Sequence, residues 1–201
     1  MARRSDHNRE ELYALAMQAA RDIAVHDGLK GLTARNIAKR IGYSAGTLYN
    51  LFKNLDEIAL HVNAGTLDQL HDRLGEVALS GKPKKDIRQL LDAYLDFIGG
   101  NDRLWSLLFD HKLPDGTPLP DWYRARIARV LSLLEAALAP LFPEPDHPEC
   151  QLSARVLWSS LHGICQLANA DKLEIVSDED TRALAHALVE NYLAGLKARL
   201  G

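Results

Sequence analysis

The chain has 201 residues, of which 47% are hydrophobic and 25% are charged. A globular chain of this length buries roughly two thirds of its unfolded surface, so neither disulfides nor a metal ion is needed to stabilise it. The composition excludes disordered and collagenous chains. The two cysteines, Cys150 and Cys165, form neither a disulfide framework nor a CxxC pair, and we expect both to be reduced thiols.

The sequence shows no targeting or membrane segment. No apolar run approaches the ~18 residues that a spanning helix requires. The first eleven residues, MARRSDHNREE, lack the apolar segment of a secretory signal. We therefore expect a cytoplasmic protein.

Charge is distributed unevenly along the chain. Residues 1–53 contain nine Lys or Arg and five Asp or Glu, a net charge of +4, whereas residues 54–201 contain 15 and 22, a net charge of −7. A basic head on an acidic body indicates a polyanionic partner for the head alone.

Helical periodicity runs through the chain, and strand signals are almost absent. The first helix is predicted over about residues 8 to 26, before Gly28. Its apolar stripe consists of Leu12, Leu15, Ala16, Ala19 and Ile23. Thr33 is expected to cap a second helix that runs to Ile41.

The second and third predicted helices are separated by a three-residue turn that contains Gly42. Ser44 is expected to cap the third helix, which runs to about Phe52. Two short helices across such a turn form a helix-turn-helix. Asn54 then starts a longer fourth helix.

Glycine- and proline-rich breaks separate four further amphipathic stretches, and Ser177 opens a last helix in the manner of a capping box. The breaks lie at residues 81–83, 99–100, 113–120 and 140–148. The prediction is an all-α fold of about nine helices, with an N-terminal three-helix head over residues 1–53 and a larger helical body over residues 54–201.

The third helix is predicted to be two-sided. On a helical wheel Leu48, Leu51 and Phe52 lie on one side, and Gly46, Tyr49, Asn50 and Lys53 lie on the other. The second set suits a helix that enters a DNA major groove, because small residues allow close approach and polar ends reach phosphates and bases. The alternative is a solvated face with no partner.

The segment over residues 31–60, GLTARNIAKRIGYSAGTLYNLFKNLDEIAL, resembles the DNA-binding head of the tetracycline-repressor (TetR) family of bacterial transcription regulators. The residues that carry the resemblance are Thr33, Ile37, Ala38, Gly42, Ser44, Thr47, Leu48, Tyr49 and Phe52. Further along, the run from Trp158 to Gly163 resembles the Trp…His-Gly element found in a subset of the family's C-terminal domains.

The resemblance implies roles for residues of the head. Phosphate contacts are expected from Thr33, Ser44, Thr47 and Tyr49. Contacts to bases or flanking backbone are expected from Arg35, Tyr43, Ala45, Gly46 and Asn50. The family usually has a phosphate-binding Lys where this chain has Leu55, so we expect Lys53 to supply that charge.

Few side chains of the head can recognise DNA bases. Only Arg35, Tyr43 and Asn50 can hydrogen-bond a base edge, with Asn favouring adenine and Arg favouring guanine, so DNA shape is expected to contribute as well. Arg3 and Arg4 precede the first helix and are candidates for the minor groove, or alternatively form a solvated tail.

A single head contacts few bases, so we expect a homodimer that reads two half-sites ~34 Å apart. The interface is predicted on the last two helices, because the stretch from Leu152 to Ala170 is apolar or small nearly all round. A purely intrachain core is the alternative.

The resemblance also implies a small-molecule effector that binds among the helices of the body. Aromatic walls with a few polar groups suit a mostly apolar ligand. The candidate residues are Tyr94, Phe97, Trp105, Phe109, His111, Trp122, Trp158 and His162. The alternative for each of them is that it fills the core.

Catalytic and metal-binding patterns are missing from the sequence. His162 and Cys165 could form half a metal site, but no second pair stands at ligand spacing, and GxSxG, P-loop and GxGxxG motifs are absent. We therefore expect no cofactor and no metal, and a ligand-responsive regulator, by analogy a repressor. The alternatives are a DNA-binding dimer that senses nothing and an all-helical enzyme or metal protein.

Overall fold

A computed structural model of the chain describes residues 7–144 and 147–200; Arg3 and Arg4, the candidate minor-groove residues, lie outside this part. Within it the chain forms nine α-helices and no strand, which confirms the all-α prediction. The helices are α1 (Arg9–Gly31), α2 (Ala34–Ile41), α3 (Ala45–Tyr49), α4 (Leu55–Gly75), α5 (Pro83–Gly100), α6 (Asp102–Asp110), α7 (Asp121–Leu138), α8 (Pro148–Asn169) and α9 (Thr181–Leu200).

Helix α1 extends further than predicted. It begins with a capping box in which Asn8 and Glu11 bond each other's backbone N–H. Gly28, at φ 63°, kinks the helix, but helical structure resumes and continues to Gly31. The predicted stripe is wrong in one member, because Leu15 is exposed while Leu12 and Ile23 are buried.

The helix-turn-helix has the predicted caps. Thr33 Oγ1 accepts a hydrogen bond from the backbone N–H of Asn36 at 3.2 Å, and Ser44 Oγ accepts one from Thr47 N–H at 3.3 Å. Between these caps Gly42 ends α2 in the left-handed conformation, at φ 77°. That conformation favours glycine because a Cβ strains it.

Helix α3 is shorter than predicted and ends at Tyr49. The backbone N–H groups of Leu51 and Phe52 both donate to the carbonyl of Leu48, each at 2.9 Å, so the chain tightens into a turn after one and a half helical turns. Tightening brings the Phe52 side chain inward, where it is 2% exposed.

The described chain forms two compact units. The first comprises residues up to Thr66 together with Asn101–Tyr123. Its core joins side chains of α1 to α4 with Leu104 and Leu107 of α6. The first compact unit therefore includes residues beyond 53. The division of the chain at residue 53 into a DNA-binding head and an effector-binding body stays a prediction.

The second unit comprises Leu67–Gly100 and the residues from Arg124 onward. Helices α5 and α9 pack side by side in it, and Arg182 binds Asp92 and Asp96 at 2.6 Å each. Helix α9 begins later than predicted, since Asp180 Oδ1 caps it by accepting from Ala183 N–H at 2.7 Å. Ser177, the predicted cap, instead accepts from Glu179 N–H in the preceding turn.

Two glycine-to-alanine substitutions are expected to have opposite effects on stability. A Cβ at Gly42 or at Gly65 would meet no atom within 4 Å, so backbone conformation alone decides the outcome. Gly42→Ala places a side chain at φ 77° and should lower the free energy of unfolding by about 1 kcal/mol. Gly65→Ala, inside α4, should raise it by about 0.5–1 kcal/mol.

Urea denaturation of the two variants and the parent chain measures both effects. Equal shifts of the same sign would contradict the assignment of Gly42 as a left-handed cap.

Candidate functional site

The outer face of the helix-turn-helix carries the side chains that the sequence predicts to touch DNA. Tyr49 is 56% exposed, and Asn50 and Lys53 are exposed beside it. Leu48, directly before Tyr49, and Phe52, directly before Lys53, are buried. The segment therefore has one buried and one exposed side, as predicted. Of the exposed residues, only Tyr49 lies within α3, because Asn50 is the C-cap of this helix and Lys53 lies in the turn before α4.

The start of α3 is organised by short polar contacts. Ser44 Oγ and Thr47 Oγ1 are 3.0 Å apart, and Ser44 also caps the helix. The hydroxyl of Tyr43 is 2.9 Å from His7 Nδ1. Ala45 is half-buried and Gly46 is exposed, so a partner can approach the backbone at Gly46.

The cations of the outer face differ in how far they are neutralised. Arg40 binds Asp22 at 3.1 Å. The side chains of Arg35 and Lys53 are exposed and form no ion pair with any residue of ranges 7–144 and 147–200. Positive charge is thus available at both ends of this face, which is what an electrostatic contact with phosphates requires.

Leu55, at the position where the resembled family usually has Lys, serves packing instead. Its side chain lies against the core of the first unit. The neighbouring turn is held by Asn54 Oδ1, which accepts from Glu57 N–H at 2.9 Å, and by Glu57 Oε2, which accepts from Lys53 N–H at 2.5 Å. Lys53 is therefore the cation nearest in sequence to the start of α4.

The eight predicted effector residues are divided between the two units. Trp105, Phe109, His111 and Trp122 lie in the first unit. There Trp105 is fully buried against Phe109, with ring centroids 5.1 Å apart, and His111 Nε2 is 3.0 Å from Asp56 Oδ1. Trp122 stacks on His61 at 4.8 Å.

Tyr94, Phe97, Trp158 and His162 lie in the second unit. Of the eight candidates, Tyr94 and Trp158 line a cavity there, with ring centroids 5.4 Å apart. The structure does not bring the other six to its wall. His162 Nε2 lies 3.2 Å from the Gln166 side-chain amide, and Phe97 is buried on α5.

The cavity is enclosed almost entirely by apolar side chains. It contains about 460 Å³ of space outside protein atoms, part of it open to solvent. The lining residues are Leu74, Ile87, Leu90, Leu91, Tyr94, Val130, Leu134, Leu157, Trp158 and Leu161. Sequence reasoning missed the eight aliphatic ones, because an apolar stripe indicates burial without distinguishing a filled core from a cavity wall.

The polar groups beside the cavity are neutral near pH 7. Burial raises the pKa of Tyr94 well above its ordinary value, and interaction with Cys165 adds to the rise. Burial also raises the pKa of the Cys165 thiol to about 11 and lowers the pKa of His162. Of these three groups only Tyr94 lines the cavity, so its hydroxyl offers the cavity hydrogen bonding without charge.

The residues that the structure describes offer neither a metal centre nor a membrane span. They contain no group of three or more His, Cys, Asp or Glu arranged to hold a metal ion. None of their helices is long and apolar enough to cross a membrane.

Comparison with known proteins adds independent information. Residues 16–62 match the family model "Bacterial regulatory proteins, tetR family", and residues 87–192 match the model "Tetracyclin repressor-like, C-terminal domain". No curated protein sequence matches the chain.

Solved structures share the fold. A TetR-family transcriptional regulator from Streptomyces coelicolor is 22% identical, with a TM-score of 0.64, and the match covers 92% of this chain and 99% of that one. A TetR transcriptional regulator from Rhodococcus sp. RHA1 is 17% identical, with a TM-score of 0.65 and coverages of 90% and 95%. The regulator FadR from Bacillus subtilis, solved with stearoyl-CoA, is 18% identical, with a TM-score of 0.64 and coverages of 91% and 98%.

The match to the C-terminal model alone spans more than half of the chain, and the N-terminal model covers the helix-turn-helix built above. Members of this family bind operator DNA, respond to small-molecule effectors and act as dimers. The chain belongs to the TetR family, and it is a DNA-binding transcription regulator rather than an enzyme.

Proposed function

We propose that the chain is a homodimeric repressor that leaves its operator when a small, mostly apolar molecule binds in the second unit. The cavity lined by Tyr94 and Trp158 carries this proposal, because an apolar space inside the part matched by the C-terminal family model is where such a ligand would be buried. Since the DNA partner of a bacterial regulator lies in the cytoplasm, the protein would act there.

In this proposal the outer face of the helix-turn-helix contacts the operator. Thr33, Ser44, Thr47 and Tyr49 would contact phosphates, with Lys53 in place of the family's missing Lys. Arg35, Tyr43 and Asn50 would reach base edges, and Ala45 and Gly46 would allow close approach. The exposure of Tyr49, Asn50 and Lys53 supports these roles.

The dimer interface is proposed on α8 and α9. One stripe of α8 faces the core, with Leu157 and Leu161 buried, whereas Leu152 is 59% exposed and Val156 is 39% exposed on another stripe. Exposed leucine and valine on a helix that is apolar nearly all round indicate a face that a second copy covers. The same face on both copies would then form a two-fold symmetric four-helix contact.

The effector is proposed to contact Tyr94, Trp158 and the aliphatic wall. The FadR structure from Bacillus subtilis contains stearoyl-CoA, and this supports a fold that can take up an acyl chain. Release would follow if the ligand binds the DNA-incompetent state more tightly, and operator affinity would fall by the ratio of its two affinities. The contacts of α4 with α6 in the first unit, Asp56 with His111 and Asn63 with the Leu107 carbonyl, are candidates for the bonds that change.

Loss of charge at Lys53 should weaken DNA binding without regard to sequence. Lys53→Ala is expected to reduce the slope of log affinity against log salt concentration by about 1, since one phosphate contact is lost. Tyr49→Ala should also weaken binding, with little change in slope. Lys172→Ala, an exposed lysine of the second unit, is the matched control and should leave the slope unchanged.

Fluorescence anisotropy with an operator selected from genomic fragments measures these slopes over a series of salt concentrations. A slope that is the same in parent and Lys53→Ala would remove Lys53 from the interface.

Asn50→Ala should change selectivity more than affinity. Loss of an amide that bonds a base edge is expected to cost about 1–3 kcal/mol at one or two operator positions and to make those positions tolerant of other bases. Binding to a library of single-base operator variants measures this. If parent and variant rank the library identically, Asn50 does not read a base.

Filling the cavity should block release while preserving DNA binding. Leu161→Trp adds bulk to the wall and is expected to raise the concentration of effector needed for release at least tenfold, at a cost in stability of about 1–3 kcal/mol. Leu119→Trp, in an exposed loop, is the control. Release of operator from Leu161→Trp at the parent's effector concentration would exclude this cavity as the effector site.

A further inference from the structure

A hydrogen bond ties the start of α1 to the turn between α2 and α3. His7 Nδ1 lies 2.9 Å from the Tyr43 hydroxyl, and the centroids of the two rings are 6.1 Å apart, with the ring planes inclined at 57°. The bond joins residues 36 apart in the chain, and it is exposed to solvent. A molecule that approaches this side of the helix-turn-helix therefore meets the two side chains together.

Both partners of this bond lie on backbone that helix caps hold in place. His7 directly precedes Asn8, the N-cap of α1, which forms the capping box with Glu11. Tyr43 directly follows Gly42, the left-handed C-cap of α2, and its backbone N–H donates into the last turn of α2 at 2.9 Å. The contact between the two rings thus follows from the caps that begin α1 and end α2.

The Tyr43 hydroxyl has one hydrogen to give. Within residues 7–144 and 147–200 it bonds to His7 and to no other group. A phenolic hydroxyl donates one hydrogen bond and can also accept. Tyr43 is half-buried and directly precedes Ser44, the N-cap of α3. What its hydroxyl can do at the start of α3 therefore depends on whether His7 takes that hydrogen.

The protonation state of His7 decides the direction of the bond. A neutral imidazole carries one N–H, so in one of its two tautomers Nδ1 is an acceptor and takes the hydrogen of the Tyr43 hydroxyl. An imidazolium donates from both nitrogens. Its Nδ1–H then donates to the Tyr43 oxygen, and the hydroxyl hydrogen is left for another acceptor. Protonation thus excludes the arrangement in which the hydroxyl can only accept from a third group.

Operator DNA needs this hydroxyl as a donor. Phosphate oxygens only accept hydrogen bonds, and the major-groove edge of guanine presents two acceptors, N7 and O6. A Tyr43 hydroxyl that donates to His7 can bond neither, whereas one that accepts from His7 can donate to either. Phosphates near an imidazole also favour its charged form. Binding of DNA and binding of a proton should therefore reinforce each other.

Among the described residues no carboxylate pairs with His7. Tyr43 is its partner in the facing turn, and α3, which follows that turn, contains no charged residue. Asp6, its neighbour in sequence, lies outside the described residues. The charged side chains in the first turn of α1 and the last turn of α2 are Arg9, Glu10, Glu11, Lys39 and Arg40. Glu11 is bonded within the capping box and Arg40 to Asp22, so phosphate can supply the counter-charge to an imidazolium at His7.

We propose that His7 is a positioning residue for the operator contact of Tyr43, and that this contact is made with His7 protonated. The inference rests on the place that the proposed function gives Tyr43 at the operator. The His7 imidazolium donates to the Tyr43 oxygen and leaves the hydroxyl hydrogen for a phosphate or a guanine edge. Operator affinity then rises as the pH falls through the range in which imidazoles titrate.

Operator affinity of the full chain at about pH 6 and about pH 8 tests the proposal. It is measured by fluorescence anisotropy at constant salt, with the operator selected from genomic fragments. The parent chain should bind about fivefold more tightly at the lower pH for each subunit on the DNA, because a hydrogen bond to a charged group is stronger by about that factor. His7→Gln keeps a donor and an acceptor but does not titrate, so it should lose this difference and match the parent at the higher pH. His26→Gln, which changes an exposed histidine of α1, is the matched control and should keep the difference.

Tyr43→Phe tests whether His7 acts through the hydroxyl. This variant should bind operator more weakly and should also lose the pH difference, because the group that His7 orients is gone. A pH difference that persists in Tyr43→Phe or in His7→Gln overturns the proposal. Weakening of His7→Gln by the same factor at both pH values also overturns it, since a packing role alone gives that result. Urea denaturation shows that each variant is folded.

Two outcomes separate this inference from the proposal on which it rests. If Tyr43→Phe binds operator as tightly as the parent does at both pH values, the hydroxyl makes no contact, and both the proposed place of Tyr43 and the role of His7 fail. If Tyr43→Phe weakens binding while the parent binds equally at both pH values, Tyr43 stays at the operator and only the role of His7 fails.

Discussion

The outward face of the helix-turn-helix depends on how α3 ends. The carbonyl of Leu48 accepts from two backbone N–H groups, those of Leu51 and Phe52. This double acceptance tightens the turn and seats Leu48 and Phe52 in a core shared with α1, α2, α4 and α6. Because both side chains are committed inward, Tyr49 and Asn50 between them, and Lys53 after them, can only face solvent. The proposed DNA-contacting surface is thus the side that stays exposed when Leu48 and Phe52 pack into the core.

The same packing explains why this chain has Leu55 where the family usually has a lysine. A lysine at this position could reach a phosphate, whereas the leucine contributes apolar area to the core that supports α3. In the proposed interface Lys53 supplies the charge, and its backbone N–H donates to the Glu57 carboxylate. A cation in a turn with a fixed backbone would reach the operator without any charge being buried.

Local signals in the sequence predict the helices of the head well. Features that depend on long-range packing, such as where a helix ends, are predicted less well. Capping by Thr33 and Ser44 and the left-handed Gly42 depend on neighbouring residues, so spacing alone sufficed to place α2 and the start of α3. The sequence predicts that the third helix runs to about Phe52. In the structure α3 ends at Tyr49, because the turn that follows places the Phe52 side chain in the core. Ser177 failed as a cap for a related reason, since Asp180 competes for the same role and lies closer to the helix.

The candidate sites likewise include residues that the sequence predicts and residues that only the fold reveals. Helical periodicity predicts the exposure of Tyr49, whereas Asn50 and Lys53 lie beyond the last residue of α3 and are exposed because the following turn buries Phe52. Aromatic content did not locate the cavity, because Trp105 and Trp158 look alike in sequence yet lie in different compact units. Only the fold shows that α4, α5, α7 and α8 leave a space between mostly aliphatic side chains.

Energetics explains why the apolar lining of the cavity matters for the proposed effector. Shifting a two-state equilibrium from 1:99 to 99:1 requires a ligand to prefer one state by about 10⁴-fold, or about 5.5 kcal/mol. Burial of a methylene group contributes about 0.8 kcal/mol. Because the cavity is lined by aliphatic and aromatic side chains, burial of apolar groups would supply most of that preference.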